Sequence, residues 1–435
     1  MKLNGVLLKE VDRMGVLLGA IADDFTGATD LANTLVKAGM PTIQTFGIPA
    51  QGFDPGNAAA IIVALKSRST PADEAARESL EALEWLKSLG VKQFFFKYCS
   101  TFDSTAEGNI GPVADALLEN LGEPFTIACP AFPTNGRTIY KGHLFVGDLL
   151  LSESSMKDHP LTPMIDPNLV RFLGKQTANE VGLVPFEDVE AGSQAIRMKY
   201  DELISSGKTY AIVDAVNDAN LYSIGAASRD LKLITGGSGV ALGLPENFRQ
   251  SGELQVDDGC HEWQPKGRAA ILSGSCSAMT RSQVAAVKEK WPSLSLDAIA
   301  LHDNKEKVIE QVLAWIDKQQ EDVPFLVYSS ADPADVAEVQ EKIGRETAGL
   351  LVEEAMGAIA GEIIKRGVER LVVAGGETSG AVVKSLGVSG LRIGKEIDPG
   401  VPWCKTIGTV DLSLALKSGN FGKENFFSKA FEVLG

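Results

Sequence analysis

A series of short apolar runs with no polar alternation constrains this chain most. They are 16-VLLGAIA-22, 59-AAIIVAL-65, 93-QFFFKY-98, 125-FTIAC-129, 210-YAIVDA-215 and 231-LKLIT-235. A strand with one wet face alternates apolar and polar residues. A continuous apolar run suits a strand buried on both faces, as in a parallel sheet covered by helices. Between the second and third runs, 71-PADEAARESLEALEWLKSLG-90 reads as an amphipathic helix. Its proline opens the first turn and its glycine closes the last. A second helix reads from about Ile110 to Leu121. This is the rhythm of βαβ units.

The rhythm breaks at 243-GLPENFRQSGELQVDDGCHEWQPKG-267, which is polar and rich in proline and glycine. A fresh series follows: strand 269–273, helices 280–290 and 305–319, strand 325–329, a long helix from about Asp335 to Arg366, and strand 370–374. The expected architecture is therefore α/β, with two domains, each a mostly parallel sheet flanked by helices. The expected boundaries are 1–245 for the first domain, 246–267 for a linker and 268–435 for the second domain. The stretch 391-LRIGKEIDPGVPW-403, with its glycines and prolines, reads as loop-rich or as a sheet edge.

Charge and cysteine usage narrow the function. A net charge of −16 argues against a general nucleic-acid or anionic-membrane surface, while leaving room for a local basic pocket. No apolar run reaches the length of a membrane span. The opening MKLNGVLLKEVDRMG lacks the apolar core and cleavage site of a signal peptide. Cys99, Cys129, Cys260, Cys276 and Cys404 are scattered and show no metal-binding spacing. An odd, dispersed set suits the reducing cytoplasm.

Polar clusters follow the apolar runs. Asp23 and Asp24 stand where the first run ends and a helix begins, which in open α/β sheets is where ligands bind. Helix capping is the competing explanation for the pair. Lys66 and Arg68 follow the second run; Lys97 stands near the end of the third, with Ser100 and Asp103 after it; Arg137 and His143 follow the fourth. Right-handed crossovers bring such strand ends to one edge. The cations would form a local positive pocket for a carboxylate or another small anion, and the hydroxyls and Asp103 suit a sugar.

The second half carries a different device, 371-LVVAGGETSGAVVKSLG-387. Gly375 and Gly376 leave the backbone bare where a phosphate could approach. Thr378 or Ser379 can cap the next helix, whose N-terminus favours an anion. The stretch 273-SGSCSAMT-280 repeats the pattern of small and hydroxyl residues between strand and helix. The pair suggests a nucleotide polyphosphate site. Two other matches fail. Ser206-Gly207-Lys208-Thr209 has Glu202 where a phosphate loop needs its first glycine, and 236-GGSGVALG-243 misses the dinucleotide fingerprint by one residue.

Taken together, ADDFTGATD near the start, KxCSTFDSTxxGNIG, PxxGRT, AGGETSG and EIDPGVPW resemble the four-carbon acid sugar kinase family, from about Val16 to Phe427. The GETSG and IDPGVPW forms resemble its 3-oxo-tetronate branch more than the threonate or erythronate branches. The sequence departs from the pattern in a longer N-terminal lead and in 166-DPN-168, where a serine is expected. The resemblance implies an α/β enzyme that transfers phosphate from ATP, with Mg²⁺, to the C4 hydroxyl of a four-carbon sugar acid. It implies that Ser275, the turn from Gly375 through Gly376 and Glu377 to Thr378, and Gly419 contact nucleotide; Ser379, next in the turn, is expected to bind it with them. No residue is assigned to the metal. Of the two aspartates, Asp24 is expected to face the substrate and Asp23 to hold the loop. A homodimer is compatible with this reading. An oxidoreductase or aldolase, and a sugar-acid sensor without turnover, stay open as other classes.

Overall fold

The chain is described by a computed structural model for residues 15–158, 162–255, 263, 265–329 and 333–434. The opening segment read for a signal peptide, His159 and Cys260 lie outside the described residues. The apolar runs become strands: β1 (Leu18–Ala22), β2 (Thr42–Phe46), β3 (Ala60–Ala64), β4 (Gln93–Lys97) and β5 (Thr126–Cys129). Every residue of β1, β3 and β4 is buried, as continuous apolar runs require.

Three helices pack beside them. In α1 (Phe25–Lys37), Ala28, Leu31, Ala32 and Leu35 form the inward stripe. In α2 (Ala72–Ser88), the buried residues Ala75, Ser79, Ala82, Leu83 and Leu86 recur at helical spacing. Burying a side chain such as Leu86 stabilises by about 1.5–3 kcal/mol. Acidic Asp73 and Glu74 in the first turn and Lys87 in the last suit the helix dipole. The third helix, α3 (Ile110–Leu121), stops at Gly122, whose φ of 67° is left-handed.

Among the described residues one sheet has fifteen strands. From one edge it runs Ser293–Ser295, Phe325–Tyr328, Arg268–Ser273, Val368–Ala374, Ser413–Lys417, Val401–Gly408 and Val388–Asp398. It continues through β2, β3, β1 and β4 to Leu233–Gly236, β5, Tyr210–Val213 and Val181–Val184. Pairing is parallel from β2 to the far edge, and parallel again from Ser293–Ser295 to Ser413–Lys417. The connecting pairs are antiparallel. A separate three-stranded antiparallel sheet comprises Arg137–Tyr140, His143–Val146 and Leu149–Leu150.

Several expectations change. The stretch 391–403 is neither loop nor edge. It forms most of a long hairpin at the centre of the sheet, and Val388–Asp398 pairs with β2 through Gly390↔Thr45, Leu391↔Gln44 and Arg392↔Ile43. Its glycines serve packing: a Cβ on Gly390 would fall 2.7 Å from the Gln44 carbonyl oxygen. This hairpin joins the two parallel arrays into one sheet. The long helix expected over 335–366 is two, Pro333–Ile343 and Arg345–Lys365, broken at Gly344 with φ 84°. The helix read from 305 begins earlier, at Ala298, and kinks at Asn304. The one read from 280 starts at Ala278 behind a Ser277 cap. The segment read as linker opens with helix Leu244–Gln250. The glycines of 236–239 allow close packing on the Cys129, Pro130 and Ala131 carbonyls rather than cradling a dinucleotide.

Candidate active site

The strand β1 lies between β3 and β4, all parallel, so their C-terminal ends open together at a point where strand order reverses. Asp23 stitches these ends by its backbone. Its N–H donates to the Lys97 carbonyl at 3.0 Å, and its carbonyl accepts from Ser67 and Arg68 at 3.0 and 3.2 Å. Its carboxylate receives the Arg68 Nε at 2.9 Å and Nη2 at 2.8 Å. The same Nη2 reaches Asp24 Oδ1 at 2.8 Å. Asp24 is also the N-cap of α1, accepting from the Gly27 N–H and the Thr26 hydroxyl, each at 2.8 Å. The Asp23 side chain is 5% exposed and that of Asp24 28%.

Capping and site formation are therefore not alternatives at Asp24. Asp24 both caps the helix and meets solvent, while Asp23 is the buried anchor for Arg68. Burial raises the Asp23 pKa above the ordinary carboxylate value, and Arg68 only partly offsets this. Burial pushes Asp24 upward too, but Arg68, Lys97 and the bonds from Thr26 and Gly27 together outweigh it, and its pKa is lowered. Burial works against the Arg68 charge, yet the two aspartates hold its pKa well above its usual value.

The chain after β4 completes the cluster. Phe102 adopts a left-handed φ of 55°, which is rare for a bulky residue and is held by edge-on packing against Tyr98 and Phe172. Next to it, Asp103 accepts from Thr101 at 2.5 Å and lies 3.9 Å from Arg68 Nη1. Ser100 sits half-buried in the same turn. Lys97 is buried and donates to the Tyr98 carbonyl at 2.8 Å. Burial, reinforced by Asp103, lifts the Cys99 thiol to about 11, which removes it as a nucleophile.

The structure thus gathers Asp23, Asp24, Arg68, Lys97 and Asp103. The expected cation set is not one open positive pocket, because Arg68 is already held by two carboxylates. Arg137 and His143 sit on the separate small sheet. Arg137 donates to the Asn135 carbonyl, and the His143 ring meets the Lys141 carbonyl and Asn168. Asp30 is a carboxylate that the sequence did not flag. It is buried on α1, with one oxygen accepting from Ser238 at 2.6 Å and the other unpartnered.

The second centre lies at the matching strand ends of the other parallel array. Arg268–Ser273 runs between Phe325–Tyr328 and Val368–Ala374, again a point of reversed strand order. A cavity of about 540 Å³ opens there. Gly274, Ser275 and Gly375–Thr378 line one end; Leu296, Ala348 and Val352 supply apolar wall. Helix Gly376–Ser385 begins at the cavity with Gly375, φ 128°, as its N-cap. Thr378 and Ser379 therefore lie inside the first turn and do not cap it. The Ser379 hydroxyl donates back to the Gly375 carbonyl at 2.7 Å. A Cβ on Gly376 would meet open space. Gly419 packs so closely on Ser275 that a Cβ there would lie 2.7 Å from its hydroxyl.

One ion pair links the centres: Lys66 Nζ, from the end of β3, lies 3.2 Å from Glu377 Oε2 in the glycine turn. Lys66 also lies 5.7 Å over the Phe25 ring.

The comparisons follow this division. A family model described as a sugar-binding N-terminal domain matches residues 18–244, and one described as a nucleotide-binding C-terminal domain matches residues 270–427. A 3-oxo-tetronate kinase of Burkholderia multivorans is 55% identical over 419 residues, covering 96% of this chain and 97% of the relative. This chain belongs to the four-carbon acid sugar kinase family. A 3-oxo-tetronate kinase of Brucella melitensis is 48% identical over 96% of this chain and 95% of its own length. Among solved structures, Haemophilus influenzae protein HI1011 matches with TM-score 0.82 and 46% identity, covering 96% of this chain and all of that one. No described helix is long and apolar enough to cross a membrane.

Proposed function

We propose that this protein is an ATP-dependent kinase that phosphorylates the C4 hydroxyl of a four-carbon sugar acid, with 3-oxo-tetronate as the acceptor. The Lys66–Glu377 contact carries the reading: a cation from the end of β3, the strand beside β1, reaches a carboxylate of the glycine turn at 3.2 Å. The near full-length similarity to 3-oxo-tetronate kinases supports the choice of acceptor.

In this reading Asp24 receives the C4 hydroxyl. Ionised at neutral pH, it orients the hydroxyl and takes its proton as the bond to phosphorus forms; its lowered pKa makes it a weak base, so positioning is its larger role. The C4 oxygen forms a bond to the γ-phosphorus as the bond from that phosphorus to the β,γ-bridging oxygen breaks, and ADP leaves. Arg68 fixes both aspartates. Lys66 and Lys97 supply positive charge on the acceptor side, where the substrate carboxylate and the transferred group need it.

The residues also fit Mg²⁺. Glu353 and Glu377 line the same cavity; burial raises the Glu353 pKa, and the Glu377 charge adds to it. Two carboxylates beside a phosphate site suit a cation shared with the nucleotide, which Mg²⁺ commonly takes with one or two protein ligands. Bound there, it would neutralise charge between the β- and γ-phosphates.

ADP release with ATP, Mg²⁺ and a panel of four-carbon acids tests the proposal. Turnover greatest on 3-oxo-tetronate is expected. Preference for threonate or erythronate would move the protein to another branch. No ADP release with any acid would leave a binding protein.

A further inference from the structure

Lys417 ends strand Ser413–Lys417, is fully buried, and forms no ion pair with a described carboxylate. Its Nζ donates to Thr280 Oγ1 at 3.0 Å, to the Ser418 carbonyl at 2.9 Å and to the Gly419 carbonyl at 3.0 Å. Thr280 Oγ1 itself donates to the Gly419 carbonyl at 2.8 Å, so it meets Lys417 as an acceptor. Three acceptors around one amine match the three donors of an ammonium. Ser277, the N-cap of helix Ala278–Lys288, donates to the same Gly419 carbonyl at 2.6 Å. The Lys417 backbone carbonyl receives the Gly375 N–H at 2.8 Å. One residue therefore ties together the Gly375 turn, the Gly419 loop and the N-terminus of the helix after Ser275.

We propose that Lys417 is a positioning residue of the nucleotide site, holding Gly419 against Ser275 and providing buried positive charge that the nucleotide's phosphates balance. This rests on the kinase reading above. A buried ammonium without a partner is costly. Its neighbours among the described residues supply dipoles but no counter-charge, and the cavity lined by Ser275 and Gly375 is where a polyphosphate would supply one. Burial lowers the Lys417 pKa to about 7. A purely structural staple would serve the loop equally whether the ligand carried phosphates or not.

That difference sets the experiment. ATP and adenosine are titrated by calorimetry into the full chain and into Lys417→Met at pH 6.5, with thermal melting to confirm folding. The expected result is an ATP affinity reduced about 10-fold or more, with adenosine affinity unchanged, because adenosine reaches the apolar wall without using the charge. Unchanged ATP affinity, or equal losses for ATP and adenosine, would overturn the proposal. If Lys417→Met fails to fold, Thr280→Val decides. It removes one Lys417 acceptor and one bond to Gly419 at nearly constant shape, and it should weaken ATP several-fold while sparing adenosine; unchanged ATP binding overturns the proposal here too. A wild-type protein that binds no ATP would be a separate outcome, sinking the kinase reading and this proposal together.

Discussion

Lys66 and Glu377 are 311 residues apart in sequence and 3.2 Å apart in space. One closes a strand end in the half matched by the sugar-binding family model, and the other sits in the glycine turn of the half matched by the nucleotide-binding model. Both side chains are more than half exposed, so the pair adds little to stability, about 0–1 kcal/mol. In the proposed reaction its value is positional, because the lysine stands beside the glycine turn.

Lys66→Ala should therefore leave the denaturant midpoint nearly unchanged while lowering kcat by about 10- to 100-fold, as loss of one preorganised charge at a transferring phosphoryl group does. A variant with normal kcat would make the ion pair a surface ornament.

The aspartates should separate by measurement. Asparagine is a good N-cap, so Asp24→Asn should lose little stability, about 0.5 kcal/mol, but should lower kcat by about 100-fold. Asp23→Asn removes the buried carboxylate that takes two bonds from Arg68 and should lower stability by about 2–4 kcal/mol. Paired kcat and unfolding measurements check both. An Asp24→Asn enzyme of normal activity would reduce that residue to a cap.

Gly376→Val should fold normally, because the space beside its Cα is open, and should lose ATP, because that space is the cavity. Calorimetry giving wild-type ATP affinity in a folded variant would remove the turn from the phosphate site.

Lys417 predicts a pH effect on stability. Its folded pKa of about 7 lies below its unfolded value of 10.5, so between these limits the unfolded chain binds the extra proton. Stability should rise with pH across that window and fall as pH drops through about 7. Lys417→Met should lack this component. Parallel stability profiles of wild type and variant from pH 7 to 10 would contradict it.

The strands and the two glycine-rich turns were legible in the sequence because buried parallel strands carry an unbroken apolar signal. The central hairpin was not. Its glycines and prolines look like loop chemistry, and only its partner β2, more than three hundred residues away, shows that Gly390 serves close packing. Asp23, Asp24 and Lys97 could be placed from strand ends alone. That Arg68 would be consumed by the aspartates could not, since spacing says nothing of where a long side chain points. Lys417 went unflagged for a related reason: a lysine closing an apolar strand reads as the first residue of a wet turn, and its burial depends on the helix after Ser275.

The antiparallel pairing of β2 with Val388–Asp398 has a consequence for dissecting the chain. Cutting between the two matched regions would not release two finished modules. It would lay bare β2 on one fragment and an eleven-residue strand on the other, each with a row of unsatisfied backbone donors and acceptors. Such edges recruit other strands. The separated halves should cling to each other when co-expressed and precipitate when made alone, so the nucleotide-binding half acts as the standing cover for an adhesive border on its neighbour.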